Sequence, residues 1–148
     1  MYQSLNATIE LLNEANDPNF NLADEYFCKA YAKKSLCLEG NEEKCFDVET
    51  YTKAFGINAG VKLLRYDALW HFTCNAEYKP TKEDKKCEDN NNIEALCKEG
   101  DQSCEDIKKR LDCIKKTSME KCGNEKLAQF RVDAYTYTVQ KILPNCNV

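Results

Sequence analysis

Cysteine has the widest choice of chemistry in this chain: a thiolate can attack carbon, bind a metal or close a disulfide. Ten of the 148 residues are cysteines. Cys28, Cys37, Cys45 and Cys74 follow the spacing C-x8-C-x7-C-x28-C, and Cys104, Cys113, Cys122 and Cys146 follow C-x8-C-x8-C-x23-C. Cys87 and Cys97 lie between these two frames. Nucleophilic use of a thiol or hydroxyl needs a base, and His71 is the single histidine. A zinc site needs several ligands at close spacing; no C-x2-C occurs, and His71-x2-Cys74 stands alone, so no metal is predicted. Oxidation remains. An even count at this density predicts five disulfides and an oxidising, extracellular compartment, each bridge worth about 2–4 kcal/mol.

Other catalytic constellations fare no better. The run Trp70-His71-Phe72-Thr73-Cys74 is similar to the catalytic helix of secreted phospholipases A2. Those enzymes place an aspartate after the histidine and a glycine-rich calcium loop before it; here Phe72 follows His71 and no such loop precedes it. Among the 25 acidic residues a carboxylate acid–base pair stays open, although most of them are expected at the surface. The chain is therefore expected to be non-enzymatic, with no cofactor.

Charge narrows the partners. The net charge of −4 and a pI near 5.2 argue against nucleic acid, and Lys108-Lys109-Arg110 is too short a basic run to change that. No membrane span is predicted. Residues 1–12 carry Asn6, Thr8 and Glu10 and lack the apolar run of a leader, so Met1 is read as standing where a leader has been removed. Asn6-Ala7-Thr8 is the one glycosylation sequon and marks Asn6 as the candidate acceptor.

With only three prolines and five glycines, the elements that position the cysteines read as helices. Leu5, Ile9 and Leu12 share a face over 4–15, and 16–19 form a turn. Asp24 caps a second helix carrying Phe27, Ala30, Tyr31 and Lys34, which ends near Gly40. A third is predicted over 43–55, with Val48, Tyr51, Thr52 and Phe55 inward and Glu49 and Lys53 outward. Gly56 and Gly60 bracket a break. A fourth over 61–76 has a stripe of Leu64, Ala68, Leu69 and Phe72. Residues 79–92, with Lys82-Glu83-Asp84-Lys85-Lys86 and Asn90-Asn91-Asn92, read as a charged connector tethered by Cys87. A short helix over 93–98 ends at Gly100, Asp101 or Ser103 starts another over 104–116, and Asn124 caps the last over 125–143, stopped by Pro144. The last carries Leu127, Phe130, Ala134 and Tyr137 on one face. The predicted fold is thus all-α: a disulfide-stapled bundle of about six to seven helices in one domain, 1–148, with pseudo-repeated halves 22–78 and 93–148.

Nine residues of α-helix rise roughly 13 Å, whereas the Cα atoms of a disulfide lie within about 7 Å. Cys28 and Cys37, and likewise Cys104 and Cys113, cannot bridge each other inside an intact helix. They must tie that helix to neighbours at two heights. Antiparallel hairpins make Cys45–Cys74 and Cys122–Cys146 the preferred pairs, out of about 945 possible pairings.

The stretch Cys104-Glu105-Asp106-Ile107, Cys113-Ile114, Cys122-Gly123, Phe130-Arg131 and Pro144-Asn145-Cys146 resembles the C-terminal part of small secreted invertebrate domains. It is similar to the arthropod haemolymph 27-kDa glycoprotein family and to nematode domains related to chondroitin proteoglycan 4. The likeness covers the last third of the chain. It implies secretion and a helical fold, and brings no active site with it.

Two functions suit such a chain. The first is an extracellular interaction protein of haemolymph, saliva, venom or another secretion, binding a protein or glycan through surface residues, with the 79–92 connector, Tyr135 and Tyr137 as contacts. The second is a carrier of a small apolar ligand, lined by the first-half aromatics Tyr31, Phe55, Tyr66, Trp70 and Phe72. Odorant-binding proteins carry a C-x3-C and saposin-like proteins a paired C-x2-C, and neither occurs here. The interaction protein demands the fewest special residues and is the expected function.

Overall fold

The computed structural model describes Cys28, Tyr31, Ala32 and residues 46–97 and 103–148. Met1–Cys45 and Phe46–Val148 are separate compact units. In the first, Cys28, Tyr31 and Ala32 are helical and Tyr31 is buried. The predicted elements over 4–19, the Asp24 cap, Gly40, Gly100, Asn6, Cys37 and Cys45 lie outside the described residues.

Unit Phe46–Val148 is helical, with no strand among the described residues. Its helices are α1 (Val48–Phe55), α2 (Ile57–Asn75), α3 (Lys82–Asn91), the single turn α4 (Ile93–Leu96), α5 (Cys104–Cys122) and α6 (Glu125–Ile142). The described residues thus hold five helices longer than one turn. α6 packs against both α2 and α5, α1 packs on α2, and α3 and α4 pack on α5.

Local chemistry sets the ends. α1 starts at Val48 rather than at 43, because the Asp47 carboxylate accepts the Thr50 N–H at 2.8 Å and acts as N-cap. Gly56 takes φ 79° between α1 and α2, and its N–H closes α1 on the Thr52 carbonyl at 2.9 Å. The predicted break stops there. Gly60 lies inside α2, where a Cβ would sit 2.6 Å from the Tyr51 carbonyl oxygen. Its role is close approach of two helix backbones, and α2 therefore begins at Ile57 rather than Val61.

α5 runs six residues past the predicted 116, because nothing breaks it before Gly123, which takes φ 63° and caps the Met119 carbonyl. Ser103 is its N-cap. Asn124 caps α6 as expected, accepting the N–H groups of Lys126 and Leu127.

The core follows from the stripes. Leu64 and Ala68 of α2 are fully enclosed beside Phe46, with Val48, Tyr51, Tyr137 and Ile142 packed on them. Leu127, Ala128, Phe130, Ala134 and Val139 of α6 and Leu111 and Ile114 of α5 are buried as well.

Cysteines on α5 recur every nine residues, and nine residues turn a helix by about two and a half turns. Cys113 therefore leaves the side opposite Cys104 and Cys122. Each meets a different element: Cys104 pairs with Cys146 beyond α6, Cys113 with Cys97 beyond α4, and Cys122 with Cys87 on α3. Their Cα–Cα separations are 5.5, 5.7 and 5.8 Å respectively. Cys104 and Cys113 do clamp their helix to neighbours at two heights. The preferred pair Cys122–Cys146 is corrected: both ends are taken by other partners, because α3, absent from the hairpin argument, lies against the end of α5. Cys28 and Cys74 are also disulfide-bonded.

Candidate interaction surface

The segment expected to be a charged connector is the helix α3. Its sequence, Lys-Glu-Asp-Lys-Lys-Cys-Glu-Asp-Asn-Asn, offers no apolar side chain apart from Cys87. A capping box starts it: the Thr81 hydroxyl accepts the Asp84 N–H at 3.1 Å, and the Asp84 carboxylate accepts the Thr81 N–H at 2.8 Å. Asp84, Cys87, Glu88 and Asn91 recur at helical spacing and face the body. Asp84 is 8 % exposed and Glu88 9 %.

Three ties hold that face. Asp84 accepts the Tyr78 hydroxyl at 2.7 Å and the Asn124 side-chain amide at 2.8 Å. The same amide donates to the Tyr78 oxygen at 3.0 Å, so the residue that caps α6 also anchors α3. Burial pushes the Asp84 carboxyl up, but hydrogen bonds from Tyr78, Thr81 and Asn124 outweigh it and hold the carboxyl below its ordinary range. Burial, and then the bond to Asp84, push the Tyr78 hydroxyl up, partly opposed by Asn124. Second, Arg131 of α6 grips Glu88 with Nε on one carboxylate oxygen and a terminal nitrogen on the other, a bidentate pair. Third, the Cys87–Cys122 bridge fixes α3 to the end of α5. The outer side of α3 leaves Lys82, Glu83, Lys86, Asp89 and Asn90 exposed in a row of both charge signs.

The five aromatics expected to line a ligand site lie on several elements. Tyr31 is in the first unit and buried. Phe55 is half-buried and meets Tyr51 edge-on at 6.0 Å. Tyr66 and Phe72 are half-buried on α2, and Trp70 is buried there. Trp70 and Phe72, two residues apart on one helix, leave it on opposite sides. Phe72 packs on Phe130 at 5.6 Å and Tyr137 at 5.9 Å.

A different set of rings is brought together. The His71 ring stacks on Tyr137 at 5.6 Å, 9° from parallel, and lies 5.6 Å from Phe46. Lys141 Nζ sits over the Tyr137 ring at 5.3 Å and the Phe46 ring at 5.9 Å. Tyr78 meets Phe130 edge-on at 5.9 Å, continuing the row towards α3. Tyr137 is thus a packing residue, and Tyr135 lies under the Arg110 guanidinium at 4.8 Å.

Sequence reasoning named Asn124 only as a helix cap, Asp84 only within a charge run and Arg131 only within the resemblance, and it did not bring them together or single out Glu88. Thr81-x-x-Asp84 was the available signal, since that spacing marks a helix start. Nothing local signals that Arg131, 43 residues further on, meets Glu88.

Fold and surface together define a disulfide-stapled, all-helical scaffold that presents a polar helix. No described helix is long and apolar enough to cross a membrane. No protein-family model, curated protein or solved structure matches this chain.

Proposed function

We propose that this chain is a secreted, non-enzymatic interaction protein that binds an extracellular protein or glycan through the exposed face of α3. The observation that carries the reading is the three-way fixation of α3. A helix with no apolar residues would gain little from packing, yet it is held by a disulfide, a bidentate ion pair and a shared hydrogen-bond node. A fixed backbone presents Lys82, Glu83, Lys86 and Asp89 at low entropic cost to a partner.

The proposal includes secretion, glycosylation at Asn6, and the two cysteine-framed halves with six to seven helices in all. The cysteine density supports it. The carrier reading has less support, because the rings of Phe46, His71, Phe72, Phe130 and Tyr137 pack on one another.

Native followed by denaturing mass spectrometry of protein secreted from eukaryotic cells tests the proposal. The expected mass corresponds to five disulfides plus a glycan that Asn6→Gln removes, with no small molecule bound. A discrete apolar adduct lost on denaturation would move the assignment to a carrier. Replacement of Lys82, Glu83, Lys86 and Asp89 by alanine should abolish retention of partners from the source fluid. Unchanged retention would rule out α3 as the contact.

A further inference from the structure

α3 is tied to the body mainly through charge. Its inward stripe is two buried carboxylates with a half-buried amide and a half-buried cysteine, whereas Tyr78 before it packs on Phe130 and Ile93 after it is buried. The chain on either side of α3 thus has apolar anchors, and α3 itself has none. Asn92, at φ 44°, separates α3 from α4, so the two are not one continuous helix.

The groups facing the two carboxylates can be named. Tyr78 and Thr81 come from the segment before α3, and Asn124 and Arg131 from α6 and its cap. α5 contributes the Cys122 sulfur and the Lys121 carbonyl beside Cys87. Lys85, half-buried, is the cation on α3's own partly enclosed side. Every one of the hydrogen bonds to Asp84 from Tyr78, Thr81 and Asn124 favours the ionised acceptor.

We propose that α3 is a strap that opens as a unit when the Asp84 carboxyl is protonated, while α2, α5 and α6 stay folded. The Cys87–Cys122 bridge keeps the open strap attached to α5. With Asp84 protonated, the Arg131–Glu88 pair remains as an ionic tie of α3, and it depends on the Glu88 charge. Protonation of Asp84 turns an acceptor-only group into one carrying a hydrogen that meets the Tyr78 and Asn124 donors. The Asp84 carboxyl is held below its ordinary value of 3.8 in the closed state, so the strap is closed at neutral pH and opens as pH falls below that range. This device holds whether or not α3 is the contact surface.

Amide hydrogen exchange of the intact, oxidised protein, followed by NMR from pH 7 to pH 2.5, decides the matter once each rate is divided by its intrinsic rate at that pH. The expected result is that protection over 85–91 falls more than about tenfold relative to protection over 127–139 as Asp84 protonates. Loss of protection in both segments together at every pH would overturn the proposal. Glu88→Gln at pH 7 should lower protection in α3 alone, and unchanged protection there would equally overturn it. Should that variant fail to fold, the pH series on the natural sequence still gives the answer.

Discussion

α3 and the α2–α6 pair are held by opposite means within one unit. α2 and α6 meet through Leu64, Ala68, Phe72, Phe130 and Tyr137, side chains whose transfer out of water supplies the driving force. α3 meets its neighbours through the carboxylates of Asp84 and Glu88 and one covalent bridge. Apolar contacts tolerate changes of pH and salt, and depend on volume. Polar contacts depend on ionisation and lose their value when one partner is removed. The difference teaches that a disulfide can fix a helix where hydrophobic burial offers no anchor.

Four changes sharpen or break that contrast. Leu127→Ala empties a fully buried position in α6 and should cost about 2–5 kcal/mol, read as a shift of the whole denaturant transition. A loss confined to one helix would mean that the apolar body is not cooperative. Gly60→Ala puts a methyl 2.6–2.8 Å from the Tyr51 and Thr52 backbone atoms, so α1 must move. About 1–3 kcal/mol should be lost, with thermal unfolding as the readout. An unchanged melting temperature would show that α1 can shift freely.

Asp84 gives the polar counterpart. Its folded-state pKa is depressed, so the stability it contributes is present above its ordinary value of 3.8 and is lost as pH falls through the lower folded value. Asp84→Asn should therefore flatten the acid limb of stability against pH; an acid limb equal to that of the natural protein would assign the linkage to other groups. The smallest effect is expected at Ser118 of α5, whose hydroxyl is fully buried with no hydrogen-bond partner. Ser118→Ala should raise stability by about 1 kcal/mol in chemical denaturation. A polar group removed from the apolar body stabilises it, and one removed from α3 does the reverse. Destabilisation by Ser118→Ala would erase that asymmetry.

Legibility in the sequence follows the same division. The stripes Leu64–Ala68 and Leu127–Phe130–Ala134, and the Asn124 cap, could be read because they rest on periodicity and on a local hydrogen bond. α3 could not be read by periodicity, since it has no apolar stripe, and its charge run is equally compatible with a solvated loop. Gly60 read as a breaker because only the neighbouring backbone reveals why a side chain is excluded there. Of the proposed ligand aromatics, Trp70 and Phe72 read as neighbours in sequence, but the helix turns them to opposite sides.

The sequence by itself determined that the described chain is helical and that Cys104 and Cys113 tie their helix to different partners, because helix rise forbids them from meeting each other. Tertiary structure alone decided which cysteines pair, which carboxylates are buried and which rings stack. Those outcomes depend on residues such as Glu88 and Arg131, or Cys104 and Cys146, that are 42 or more positions apart. Local propensity acts over a few residues, while contacts at that separation exist only once the helices have packed.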